Sequence, residues 1–174
     1  MKKLSMEALN RPSAEEAARA VRHPLVVVLD SVRSMSNIGS VFRSADAFGV
    51  SALYLCGITA QPPHREIHKT ALGAELTVPW HYEADVVALL KRLKAEGYTL
   101  CALEQTDTPT WLHAFKPDLA YKYAIIAGNE VYGVSDEALA VCDLALEIAQ
   151  AGAKHSLNVA VAAGVAMYAL TREW

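Results

Sequence analysis

Along the chain, short apolar runs alternate with amphipathic and polar stretches, and their periods assign the elements. Pro24 to Leu29 is a continuous β-branched run, as expected of a strand covered on both faces. A polar loop follows from Asp30 to Asn37, and a helix begins at Gly39. In that helix Phe42, Ala45 and Phe48 share the buried face, Arg43 and Asp46 point elsewhere, and Gly49 ends it. Ala52 to Cys56 is a second strand. After a loop at Gln61 to His64, Glu66 to Leu72 predicts a short helix and Glu75 to Trp80 a short strand. Asp85 to Glu96 predicts an amphipathic helix with Val86, Leu89, Leu90 and Leu93 on one stripe, stopped by Gly97. Strands are expected at Thr99 to Leu103, Tyr123 to Ala127 and Asp143 to Ile148. Between them lie a loop from Thr106 to Lys116, anchored by Trp111 and Phe115, and a helix from Ser135 to Val141 capped by Ser135. Residues 6–22 predict one amphipathic helix, or two broken at Arg11-Pro12. Such alternation implies an α/β fold, a mostly parallel sheet flanked by helices. One domain is expected over residues 1–174, with residues 1–23 as an N-terminal helical extension.

The last segment has a different pattern. Ser156-Leu157-Asn158-Val159 opens into a run of small and apolar residues, from Ala160 to Tyr168, that is uncharged until Arg172. A helix apolar all round is expected to be buried all round, and Ala160, Ala162, Ala163, Gly164 and Ala166 would admit close neighbours. Ser156 is the expected N-cap. Asn158, at the mouth of the helix, needs partners if buried. Both residues would lie where free N–H groups and the helix dipole favour a polar or anionic ligand, although a capped core helix has the same sequence.

Composition then narrows the classes. Hydrophobic residues make up 53% and charged residues 20%, so the chain is globular rather than disordered. No apolar run approaches the ~20 residues that span a bilayer, and Met1 to Glu7 lacks the core of a signal peptide. Cys56, Cys101 and Cys142 have no metal-ligand spacing and read as buried thiols of a reducing compartment, which points to the cytoplasm. A net charge of −3 excludes a surface that attracts nucleic acid everywhere, but not a local basic patch. Lys2, Lys3, Arg11, Arg19 and Arg22 concentrate near the N-terminus, and Arg33, Arg43, Arg65 and Lys69 lie further along. His64 and His68 have helical i,i+4 spacing without a third ligand, which favours a solvated basic turn over a metal site. Neither a dinucleotide fingerprint nor a phosphate-binding P-loop is present.

In a parallel sheet, ligands bind beyond the carboxyl ends of the strands. Three Gly-containing loops leave those ends: Ser36 to Ser40, Gly128 to Gly133, and Gln150 to Ser156. They would form a cleft with Asn37, Arg43, Glu130, Ser156 and Asn158 around it. Asn37-Ile38-Gly39-Ser40-Val41-Phe42-Arg43, continuing to Gly49, resembles the first motif of the SpoU/TrmH-type RNA ribose 2′-O-methyltransferases. Gly128-Asn129-Glu130-Val131-Tyr132-Gly133 resembles their second motif, and Ser156-Leu157-Asn158-Val159-Ala160-Val161-Ala162 their third, in the family's order.

The resemblance implies a SPOUT fold with a C-terminal trefoil knot, a homodimer, and S-adenosylmethionine held in the knot largely by backbone. The matching cofactor positions are Gly128, Ile148 and Leu157, and Ala149 stands where the family usually has Pro. The family's catalytic arginine matches Arg43. A guanidinium normally stays protonated, with a pKa above ~12, so Arg43 would orient phosphate and hydroxyl, or act as base in an unusual environment. Asn37 would position Arg43 or the ribose. Glu130 would hold the arginine or the second-motif loop, and Ser156 and Asn158 would shape the helix mouth. Tyr132 would stack on a base or pack its loop. The substrate implied is a structured RNA, tRNA ahead of rRNA, gripped by the basic residues because no appended RNA-binding domain is expected. No metal and no membrane enter this reading. The alternative is a catalytically silent RNA-binding or assembly protein of the same fold.

Overall fold

The structure is a computed structural model that describes residues 1–5, 8, 16, 20–153 and 156–172. Most of the helix expected over residues 6–22 lies outside the described residues, as do Lys154 and His155; residues 20–22 are not helical. The strands are β1 (His23–Asp30), β2 (Val50–Cys56), β3 (Trp80–Glu83), β4 (Tyr98–Leu103), β5 (Thr110–Trp111), β6 (Lys122–Ala127) and β7 (Leu144–Glu147). They form one sheet in the order β3-β2-β1-β6-β4-β7-β5, with every pairing parallel. Among the described residues the helices that flank it are α1 (Met35–Ala47), α2 (Arg65–Ala71), α3 (Val86–Ala95), α4 (Asp136–Leu139) and α5 (Val159–Thr171). None is long and apolar enough to cross a membrane.

The β-branched run of β1 explains the layering. Leu25, Val27 and Leu29 face one core, with Ile38, Val41 and Phe42 of α1, Ile67 of α2 and Ala163, Met167 and Leu170 of α5. Val26 and Val28 face the other, with Leu89, Leu90 and Leu93 of α3 and Ala138 of α4. A strand with helices on both faces must be apolar at every position. The predicted strands and helices thus form as expected in most places.

Four local expectations are corrected. Glu75 to Trp80 is not a strand. Ala74–Leu76 is a 3-10 turn, and β3 starts at Trp80, because the Glu75 carboxylate turns back to accept from Gly73 N at 3.1 Å and to meet His68 Nδ1 at 2.5 Å. Trp111 is no anchor, being 42% exposed; Leu112 is buried, and Phe115 packs edge-on against Tyr123. Ser135 precedes a shorter helix without capping it by its side chain, because its hydroxyl donates to Asp30 Oδ2 at 2.6 Å. Asn158, not Ser156, caps the last helix: Asn158 Oδ1 accepts from Ala160 N at 2.9 Å and Val161 N at 3.3 Å. That helix is also not buried all round. Ala160, Ala163, Ala166 and Met167 face the sheet and α1, whereas Val161, Val165 and Tyr168 are 53%, 41% and 57% exposed.

Two packing features fix how the later elements sit on the earlier ones. β7 enters between β4 and β5, two strands that precede it in the chain. Elsewhere, α2 crosses α1 at Gly39, where an added Cβ would lie 2.1 Å from Thr70 Oγ1 and 2.3 Å from the Ile67 carbonyl oxygen. A backbone oxygen cannot rotate away. The overpacking cost of Gly39→Ala, about 3 kcal/mol, should therefore exceed the ~1 kcal/mol by which Ala improves on Gly in a helix. The variant is expected to melt about 4–8 °C lower by calorimetry; an unchanged or higher midpoint would contradict the close crossing.

Candidate active site

Ser36 to Ser40, expected as a loop, is instead the first part of α1, because Ser34 caps the helix there, and one chain of hydrogen bonds joins it to the loop after β6 and to the mouth of α5. Glu130, in the loop after β6, accepts from Arg33 N, Ser34 N and Asn37 Nδ2, each at 2.9 Å. Asn37 Oδ1 accepts from Asn158 Nδ2 at 3.0 Å, and Asn158 Oδ1 caps α5. Glu130 therefore holds the first-motif loop. Among the described residues it has no pairing with Arg43, one of the two roles expected of it; its contact with its own loop is to its own amide. Burial pushes the Glu130 carboxyl up, but the Arg33 amide, the Asn37 side chain and the Ser34 amide more than offset this and hold it below the usual carboxylate range.

The second-motif loop is shaped by two residues to which sequence reasoning assigned no role. Asn129 Oδ1 accepts from Val131 N at 2.9 Å and Tyr132 N at 3.2 Å, while Asn129 Nδ2 donates to the Ser31 carbonyl at 2.8 Å. Glu104 accepts from Val134 N at 3.0 Å and from Gln105 N at 2.9 Å. Its signal in the sequence was a charged residue at the carboxyl end of a parallel strand. Within the loop, Asn129 and Gly133 exchange both backbone hydrogen bonds at 2.9 Å. This fold-back requires a glycine at 128, where a Cβ would lie 2.0 Å from the carbonyl carbon of Gly133.

Between this loop and the mouth of α5 lies a cavity of about 440 Å³, with Gly128, Glu130, Tyr132, Ser156, Leu157 and Asn158 among its lining residues. An adjoining cavity of about 120 Å³ shares Leu103, Glu104 and Leu157 with it and reaches Ile148. The three residues matched to cofactor binding, Gly128, Ile148 and Leu157, thus lie on adjoining walls. The combined space is in the range of pockets that take small organic ligands. Leu103, Leu157 and Ala162 offer apolar surface, and two carboxylates, Glu104 and Glu130, stand on the wall of the larger cavity. Ser156 is exposed at the rim, and Tyr132, 85% exposed, stands free instead of packing its loop.

Arg43 is exposed on α1, beyond the row Asn37, Ser40 and Ser44 that faces α5, and it has no hydrogen bond or ion pair with any described residue. His64 and His68 are engaged elsewhere: His64 Nδ1 accepts from Glu66 N, and His68 meets Glu75. The thiols are held neutral by burial, which pushes Cys56 up to about 12 and Cys142 up to about 11, with Cys101 also raised. Cys142 is only partly buried.

A carboxyl group titrating below its ordinary value, ~4.3 for Glu, contributes stability that is present above that value and lost as pH falls through the folded pKa. Glu130→Gln is expected to be less stable at pH 7 by about 1 kcal/mol, a modest figure because the group is exposed. Wild type and variant should converge as pH falls below about 4. Thermal melts across this range check it, and parallel curves would show that the Glu130 charge does not hold the first-motif loop.

Comparison with known proteins agrees with this geometry. Over 95% of its length the chain is 28% identical to the 23S rRNA (guanosine-2′-O-)-methyltransferase RlmB of Vibrio vulnificus, and it spans 66% of that protein. An AdoMet-bound rRNA methyltransferase from Sinorhizobium meliloti superposes with a TM-score of 0.79 at 26% identity, over 90% of this chain and 60% of the other. A structure concerned with 2-OH methylation of C/U34 on tRNA superposes with a TM-score of 0.75 at 27% identity, over 86% of this chain and 95% of the other. With its second and third motifs lining one cavity and the family's model matching residues 24–168, the chain belongs to the SpoU rRNA Methylase family.

Proposed function

We propose that this chain transfers a methyl group from S-adenosylmethionine to the 2′-OH of one ribose in a structured RNA, tRNA ahead of rRNA, as a homodimer in the cytoplasm. The observation that supports the reading is the hydrogen-bond chain Glu130–Asn37–Asn158, which ties α1 to the loop after β6 and to the mouth of α5 beside the cavity. Bound there, the cofactor would supply an electrophilic methyl on a sulfonium. Backbone at Gly128, Ile148 and Leu157 would hold it, with apolar surface from Leu103 and Ala162.

Methyl transfer to a hydroxyl is an in-line displacement, and alignment alone can supply ~7–11 kcal/mol of such a barrier. Asn37 and Asn158 hold α1 and α5 at a fixed separation at the mouth of the cavity. Arg43, free of partners among the described residues, would bind the phosphate beside the target ribose and orient its hydroxyl. In this reading the hydroxyl proton would pass to water or a phosphate oxygen. Ser156, whose hydroxyl has no partner among the described residues, would contact the ribose at the rim.

The RNA substrate draws on relatives named for rRNA methylation and for tRNA methylation alike. The dimer reading draws on a groove of about 700 Å³ between α1 and α5, where Val161, Val165 and Tyr168 leave apolar surface uncovered. The late entry of β7 between β4 and β5 is consistent with the family's knot.

Incubating total cellular RNA with labelled cofactor and mapping the modified nucleotide tests the reaction. Label in protein or small molecules but not RNA would end it, and label in rRNA would correct the target. Arg43→Ala is expected to lower transfer about 10²–10³-fold, as for loss of one positioned charge-stabilising group, with cofactor affinity by calorimetry nearly unchanged; equal loss of both would contradict the division of roles. Sedimentation should show a dimer at micromolar concentration, which Val165→Asp should dissociate.

A further inference from the structure

A second concavity, of about 520 Å³, lies beside α2, away from the motif loops. Its walls are Pro62, Pro63, Leu76 and the indole of Trp80, and its polar groups come from Arg65, His68 and their neighbours. Methyl transfer at the motif loops uses none of them.

The wall chemistry suits a flat ring. An indole and two prolines offer planar apolar surfaces, and unpaired RNA bases stack on aromatic and guanidinium planes. Leu76 is 79% exposed and Leu72 beside it 65% exposed, so the chain leaves this apolar rim in solvent. The charge is also suited to a nucleic-acid strand. Arg65 and Lys69 stand one helical turn apart on the exposed face of α2, and neither has a hydrogen bond or ion pair with a described residue. The one carboxylate lining the slot, Glu75, points to His68 Nδ1 and Gly73 N and makes no ion pair with Arg65 or Lys69. His68 donates through Nδ1, which leaves Nε2 of a largely exposed ring for the edge of a base. Glu66 and Glu75 balance the local charge, so what suits this face to phosphates is two cations without a partner among the described residues.

The slot is also fixed relative to the reaction centre. Thr70 Oγ1 donates to the Ser36 carbonyl at 3.0 Å, so α2 is tied to α1 one residue before Asn37. The slot and Asn37 thus sit on two helices, α2 and α1, that are packed directly on one another.

From these observations we infer that the slot holds one unpaired nucleobase of the substrate RNA, outside the target nucleotide, stacked on Trp80 with its phosphates on Arg65 and Lys69. This rests on the proposed RNA substrate and adds a recognition subsite to it. A strand seated there would contribute binding without touching the reacting atoms, so its loss should appear in KM and not in kcat.

The test uses two exposed positions whose substitution leaves the core intact, Leu76→Asp and Arg65→Ala, and a full chain carrying Trp111→Phe and Trp174→Phe so that Trp80 alone fluoresces. Unpaired oligoribonucleotide is expected to quench Trp80. Each variant should raise the KM for RNA roughly 5- to 50-fold, the scale of one lost base-stacking contact, with kcat and cofactor affinity unchanged. Unaltered KM in both variants while the wild type methylates RNA would overturn the subsite and leave the proposed function standing. Quenching and variant-sensitive RNA binding without methyl transfer would support the subsite and remove the transfer reading. Absence of quenching by any RNA that the protein demonstrably binds would overturn the subsite.

Discussion

A carboxylate without a proton can only accept hydrogen bonds, and that restriction sets the direction of every bond at the centre of this molecule. Glu130 accepts, so Asn37 must present its amino group to it; the Asn37 carbonyl then faces Asn158, whose own carbonyl is left for the α5 amides. Reversing either amide would place two donors or two acceptors together. Three segments separated by long stretches of sequence are therefore locked in one mutual arrangement by groups that each have a single compatible orientation. An exposed site gains order in this way without a large apolar core around it.

Much of the scaffold was legible in the chain because its signals are local. The run from Leu25 to Leu29 needs no knowledge of the rest of the fold to announce a strand covered twice, and the stripe of Leu89, Leu90 and Leu93 likewise marks the buried face of its helix. The departures share one cause. Ser135, Glu75 and Asn158 each have a side chain that suits a local role, and partners that spacing does not reveal set which role is played. Asp30 takes the Ser135 hydroxyl, Gly73 and His68 take Glu75, and Asn158 rather than Ser156 reaches the α5 amides. Polar side chains are versatile partners, so their spacing alone leaves the choice open.

The site was legible in a different sense. Resemblance assembled Asn37, Glu130 and Asn158 into one cleft but did not say what binds what. Arg43 stands apart from the acid expected near it, and Glu104 and Asn129 carry the shape of the second loop without having been given a role. The apolar character of α5 was read correctly, and its burial was not: composition shows that a helix avoids water, while its surroundings show which face has found cover. On α5 the covered face carries Ala163 and Met167, and the other leaves Val161, Val165 and Tyr168 in solvent.

The position of β7 has a further consequence, for the time course of folding. β5 pairs with no strand except β7, and β4 meets β7 along its second edge. During synthesis the gap between β4 and β5 must stay open until residues 144–147 arrive, and pairings so distant in sequence form slowly. The cavity is completed later still, since its walls run from Leu103 to Ala162. A chain halted before that point has two open strand edges and no ligand site, and a ligand that binds only the folded state cannot stabilise it. Full-length and interrupted chains would then differ sharply in resistance to proteolysis whenever that ligand is abundant, so the small molecule that serves the site would also mark which copies have been made to the end.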